Sequence, residues 1–397
     1  MLNINTLQLS AVASGEGPFV PKKPSLELNK LNNLTRESEN MADTLEMQTG
    51  FATSKGATEA LMAASVHQKE IVAQMMSSNP EDSISLALAA SIEAYGKQLE
   101  IIQGWTNGGL DMFESASALM FEAAKTAIQN GESSGFILED LFQLAIIDFV
   151  AHGYGNDPEM EAMMMHFLES TGSGSHGIHE NWDGNSFAEA VLGAGDTPSL
   201  YQYMYENSPE NSLCHEILDY MDTECGGVEA LADQYENHYS DNGAYIGNSD
   251  YPGSSGLSPM LRLALMSEYL AIYPQTTQDT INLFLTGSIE EIDTFISENT
   301  SYDSAISFIC ENDGYEDDRG WRLLETSDGG YIIDWYGTGL DETYFENLYS
   351  YFPGRELTEE EVEEVNRIGD QVKMLQQTLL YWLKICRDEQ MAIARNT

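Results

Sequence analysis

The C-terminal forty residues constrain the fold most. Val365, Ile368, Val372, Leu375, Leu379, Trp382 and Cys386 recur at alternating steps of three and four. That is the a/d seam of a heptad repeat, a spacing that only a helix can gather onto one side. Thr358-Glu359-Glu360-Glu361 stands ahead of it as a capping box, acids crowd the start, and Lys373, Lys384, Arg387 and Arg395 follow, as the helix dipole favours. Met374, Leu380 and Leu383 widen the apolar stripe, which suits a bundle better than a two-stranded rod. A helix from Glu359 to about Ala394 would be about 54 Å long. Its seam must be covered by helices of the same chain or by a neighbouring subunit. Val365, Ile368, Val372, Leu375, Leu379 and Trp382 are therefore the candidate partner-binding residues.

Charge narrows the possible partners. The chain has 65 acids against 17 bases, a formal net charge of −48, and such a surface repels nucleic-acid backbones and anionic membranes alike. From Thr126 to Leu261 there is no Lys or Arg against 23 acids, and Arg262 is the single base before Arg319. A solvated acidic surface is the plain explanation; halophilic solvation, cation binding or selection against trypsin-like cleavage are functional ones. The longest apolar run, Leu144 to Ala151, is interrupted by Asp148 and is too short for a transmembrane segment. Four Cys in 397 residues do not make a disulfide scaffold.

The expected fold class is mainly α. Residues 1–40 read as a flexible export arm, uncharged until Glu16 and without the basic start and apolar centre of a cleaved signal peptide. Residues 41–150 read as an N-terminal helical region. A loosely periodic stretch spans Thr58 to Met76, and a helix opened by Asn79-Pro80 follows and ends at Asn107-Gly108-Gly109. Next come a helix from about Leu110 to Ile128 and a buried one from about Phe136 to Val150. Residues 151–350 read as an acidic insert of short helices. Asp157-Pro158, Thr197-Pro198, Ser208-Pro209 and Ser258-Pro259 each pair an N-cap type with a proline suited to the first helical position. Ser288 to Glu291 forms a capping box. The aromatic and branched runs Trp321–Thr326 and Tyr331–Tyr336, separated by Asp328-Gly329-Gly330, predict a β-hairpin near 321–336. Residues 351–397 hold the long amphipathic helix.

Chemistry-bearing patterns are few. His176 and His179 with Glu180 and Asp183 offer imidazole and carboxylate ligands, but their spacing matches no zinc signature, and a polar loop accounts for them. The Asp/Asn/Gly-rich loops Asn181–Asn185, Asp241–Asn248 and Asn312–Asp318 have the oxygens that calcium takes, without the full EF-hand pattern; turn chemistry explains them equally well. Cys214 beside His215 is a formal nucleophile–base pair, although acidic surroundings raise a thiol pKa. Phosphate-binding loops, the G-x-S-x-G elbow and kinase motifs are missing. No catalytic residue and no cofactor is assigned, with calcium left as a possibility.

The final stretch, GDQVKMLQQTLLYWLKICRDEQMAIARNT, resembles the C-terminal helices of bacterial type III secretion filament, tip and translocon-associated proteins, the EspA/SseB-like group. The shared character is a Gln-, Met- and Leu-rich amphipathic helix running almost to the last residue. The resemblance implies terminal helices that pair into a coiled coil, a variable middle, and an exported, self-associating or partner-binding structural protein. It also implies a homo-oligomer or secretion-system partner, a dedicated chaperone, and a place outside the cell or on the bacterial surface. The chain departs from that group in its greater length and its acidic middle. A secreted effector enzyme with Cys214, His176 or His179 at its site, or an extracellular cation-binding protein, are the alternatives. The missing bases give one direct expectation. Trypsin acting on the denatured chain should leave an uncut fragment from Thr126 to Arg262, which mass spectrometry of the digest checks.

Overall fold

A computed structural model describes residues 28–47, 60, 61, 63, 64, 67, 68, 71, 95, 96, 99, 101–131, 136–174, 182–195, 197–238, 256–312, 320–325, 331–337 and 339–396. The helices are α1 (Leu28–Glu46), α2 (Gly109–Asn130), α3 (Ile137–Ala151), α4 (Pro158–Ser170), α5 (Gly184–Leu192), α6 (Leu200–Asn207), α7 (Leu213–Glu224), α8 (Gly227–His238), α9 (Pro259–Ile272), α10 (Gln278–Thr286), α11 (Ile289–Asn299) and α12 (Ala305–Asn312). Strands β1 (Gly320–Glu325) and β2 (Tyr331–Tyr336) follow, then α13 (Glu342–Ser350) and α14 (Glu359–Asn396). The fold is mainly α with one small antiparallel hairpin. The leader before residue 28, the Asn79-Pro80 start and the Asp328-Gly329-Gly330 turn lie outside the described residues.

The chain divides into two compact units, residues 1–96 with 365–397, and residues 97–364. Residues 97–150 thus group with the acidic middle, not with the N-terminal helices. The physical reason is α3. Ten of its side chains, from Glu139 to Phe149, are buried, and a helix apolar all round needs neighbours on every side. Helices α2, α4, α7, α8, α9 and α13 pack against it. Phe142 meets Phe167 edge-on at 5.2 Å and stacks on Tyr201 at 5.9 Å.

Helix α1 corrects the expectation that residues 1–40 form an arm, because it begins at Leu28. Leu31, Leu34, Thr35, Ser38 and Leu45 line its buried side. The two hydroxyl residues disguise the period in sequence. In the fold Thr35 donates to the Leu31 carbonyl at 2.7 Å and Ser38 Oγ lies 3.4 Å from His67 Nε2.

Cap signals divide by position. Asp157 and Ser258 cap α4 and α9 with Pro at the first turn, and the Ser288–Glu291 box caps α11. Thr358 and Glu361 exchange hydrogen bonds at the start of α14. Thr197 and Ser208 are not N-caps. Pro198 directly precedes the cap of α6 and Pro209 opens a turn, and the caps are Ser199 and Ser212, because their hydroxyls reach the amides of Gln202 and His215. In the hairpin Trp321 pairs with Trp335. Both rings are buried, and the Trp321 indole donates to the Tyr344 hydroxyl at 2.9 Å, so α13 covers the hairpin as an isolated one requires.

Where bases are missing, carboxylates hold distant backbone. Asp148 accepts from the Cys214 amide at 2.8 Å, Glu139 from Gly172 at 3.0 Å, Asp140 from Ser173 at 2.8 Å and Asp293 from Ala305 at 2.7 Å. Asp148 and Asp293 thereby satisfy orphan amides at the first turns of α7 and α12. Arg262 does the complementary work. Its guanidinium donates to the carbonyls of Phe284 (2.8 Å) and Gly287 (2.9 Å) at the end of α10 and to Leu257 (3.0 Å). Burial pulls its pKa down to about 10, so it stays charged at neutral pH. Arg262→Leu should cost at least roughly 1.5–3 kcal/mol, the worth of hydrogen bonds to a charged group. Urea unfolding should show a lower midpoint at an unchanged m-value.

Candidate functional site

The Leu375–Leu383 part of the α14 heptad seam is filled from within its own unit. Val365, Ile368, Val372, Leu375 and Leu379 are buried, and Trp382 is half-buried. Leu375, Leu379 and Leu383 close a cluster with Leu31 and Leu34 of α1 and with Ile71, while Trp382 and Tyr95 pack on its edge. Leu61, Ala64, Gln68 and Ile71 are helical and buried, and their steps of three, four and three mark a third heptad-spaced face.

A polar layer crosses this bundle. Gln68 Nε2 donates to Gln376 Oε1 and to the Val372 carbonyl, both at 3.0 Å, and Gln376 Nε2 donates to the Ser38 carbonyl at 3.1 Å. Both glutamines are fully buried. A buried amide pair of this kind penalises every other register, because sliding the helices leaves it without partners. At the rim Lys384 meets Glu39 at 2.9 Å, an exposed pair that adds little.

The outward side of α14 carries a second stripe. Met374, Tyr381 and Ile385 are 55%, 66% and 39% exposed, and Thr378 between them is exposed too. Their steps of four, three and four form another heptad seam, offset by one residue from the buried one. By sequence, Met374, Leu380 and Leu383 form one broad stripe. In the fold Leu383 is buried, Leu380 is half-buried and Met374 faces out. The c and g spacing of 374, 378, 381 and 385 was the signal that could have separated the two faces.

Among the described residues the candidate chemical residues do not converge. His176, His179, Glu180, Asn181, the Asp241–Asn248 loop and nearly all of Asn312–Asp318 lie outside the described residues. Asp183 is committed to capping α5: the Ser186 amide (2.9 Å) and hydroxyl (2.8 Å) hold its carboxyl below the usual range. Cys214 is buried, and burial followed by the charge of Asp148 pushes its thiol far up. His215 turns instead to Ser208 Oγ, 3.3 Å from Nδ1, and its ring lies tilted against Tyr205 at 4.3 Å. The two neighbours in sequence are not a nucleophile–base pair. Among the described residues no group of three or more His, Cys, Asp or Glu is arranged to hold a metal ion, and no helix is long and apolar enough to cross a membrane.

One charged cluster was not legible in sequence. His152 Nε2 lies 2.8 Å from Glu114, and Nδ1 lies 3.3 Å from the Asp148 carboxylate and 2.9 Å from its carbonyl. The imidazole stacks on Tyr154 at 5.0 Å. Hydrogen bonds to Asp148 and then Glu114 raise its pKa to about 10. Both ring nitrogens therefore carry protons at neutral pH, and the ring serves as a cation joining α2 to the end of α3. Its stabilising contribution is complete below the unfolded pKa of about 6.5 and is lost as pH rises through about 10. His152→Gln should remove that dependence. Wild type should lose melting temperature relative to the variant between these two pH values, as measured by calorimetry across the range. No family model, curated protein or solved structure matches this chain.

Proposed function

We propose that this is an exported structural or assembly protein, of the kind the C-terminal sequence resembles in type III secretion filaments and tips. It self-associates or binds a helical partner through its terminal helices. The observation that carries this reading is the outward heptad stripe of Met374, Thr378, Tyr381 and Ile385, a periodic row on a strongly acidic chain. Single exposed apolar side chains are ordinary, but a periodic row on a rigid helix is the form in which helices recognise helices. The buried seam of Val365, Ile368, Val372, Leu375, Leu379 and Trp382 supports the same reading indirectly, because it fixes α14 as a rigid rod and orients the outer stripe. Export to the medium or the bacterial surface goes with this assignment.

Two double variants separate the two faces. Leu375→Asp with Leu379→Asp should unfold the bundle. Each buried leucine contributes roughly 1.5–3 kcal/mol, and an unpaired buried charge costs more. Met374→Lys with Tyr381→Lys should shift stability by no more than about 0.5 kcal/mol while weakening association on the order of 30-fold or more. Circular dichroism melts read the first effect and light scattering over a concentration series reads the second. Association unchanged in the Met374/Tyr381 variant would sink the assembly reading.

A further inference from the structure

We infer that the occupant of the outer stripe is a second copy of this chain, docked antiparallel about a two-fold axis. This rests on reading that stripe as the assembly surface, and it adds the identity and direction of the partner. The apolar stripe can meet its own copy in either direction, and the polar positions at its ends favour the antiparallel one. Run antiparallel, Met374 of one copy falls level with Ile385 of the other, and Thr378 with Tyr381. Each apolar layer is filled twice by symmetry, the isologous arrangement of a closed dimer.

Polar positions along the same line agree. The stripe continues to Gln371 and Arg367 at one end and to Asp388 at the other. Antiparallel pairing sets Gln371 opposite Asp388 and brings Arg367 within one helical turn of the Asp388 carboxylate, which is 63% exposed and meets Arg387 of its own helix at 3.3 Å. Parallel pairing would set Arg367 on Arg367 and Asp388 on Asp388, and like charges in register repel. Antiparallel helices also oppose their dipoles.

The global charge selects this surface among all others. Two bodies of net charge −48 repel wherever acid faces acid. From Gln371 to Thr397 there are four bases and two acids, so this segment is a place where a second copy approaches without that penalty. Contact elsewhere is opposed, which limits the assembly to this patch until salt screens the field.

Disulfide trapping reads direction as well as partner. In a background with Cys225, Cys310 and Cys386 changed to Ser, Met374→Cys protein mixed with Ile385→Cys protein should form a covalent dimer under mild oxidation. Neither variant should do so alone. Self-trapping of Met374→Cys alone would show parallel pairing and overturn the proposal. Wild type should scatter light as twice the 44.0 kDa chain, and Tyr381→Asp should return it to one chain mass with its melting curve unchanged. A wild type that is monomeric at all concentrations overturns the two-fold dimer. In that case, an isolated helical partner lost on Tyr381→Asp would leave the outer stripe as an assembly surface for something else. A wild-type dimer that Tyr381→Asp leaves intact overturns both.

Discussion

The larger unit depends on carboxylates bonded to backbone amides. An ordinary domain pairs its half-buried acids with Lys and Arg. Here 65 acids share 17 bases, and the stretch from Thr126 to Leu261 has none. Asp148, Glu139, Asp140 and Asp293 instead accept from amides at helix starts and turns far along the chain. Such bonds are charge-assisted and directional, so they fix where α7, α12 and the 172–173 turn lie without a cation. The few positive groups are placed where amides cannot serve. Arg262 takes the carbonyl end of α10, and His152, kept protonated, sits between Asp148 and Glu114. The apolar rod α3 carries Glu139, Asp140, Asp148 and the Gln143 amide, so one helix supplies both the core of this unit and its polar ties.

Helix α14 solves the opposite problem. Its unit is small, and its interior is a bundle of heptad faces whose apolar layers would pack in more than one register. The Gln68–Gln376 pair and its bonds to the Val372 and Ser38 carbonyls remove that freedom. A register fixed from within leaves the outer side of the helix equally well defined. A row of Met374, Thr378, Tyr381 and Ile385 on a helix free to rotate would present no constant surface; on this one it does. The proposed assembly role thus draws on both faces, the inner one for rigidity and the outer one for contact.

Periodicity and end chemistry were legible wherever they are local. The long C-terminal helix, its Thr358 box, the buried α3, the hairpin of two aromatic strands and the Asp157 and Ser258 caps all follow from spacings of a few residues, because hydrogen bonding and side-chain direction repeat on that scale. Helix α1 escaped because Thr35 and Ser38 occupy its seam, and a polar residue satisfied by a neighbour looks the same in sequence as one facing water. The Thr197 and Ser208 pairs are not caps because a proline fits the residue before a cap or a turn as readily as a first helical turn, and a second serine, Ser199 or Ser212, stands close enough to take the cap.

Spacing and charge alone are enough to make this chain helical, intensely acidic and closed by a long helix whose seam must be covered. What covers it is settled by packing between distant segments. Leu375 and Leu379 would read identically against a neighbouring subunit, but they are met by Leu31, Leu34 and Ile71, residues roughly three hundred positions away whose approach no local rule encodes. That choice moved the candidate contact surface by one heptad position, from the buried leucines to Met374 and Tyr381. The same holds for His152, Glu114 and Asp148 and for the single Arg262: their partners come from other helices, and their role exists only once packing has brought those helices together.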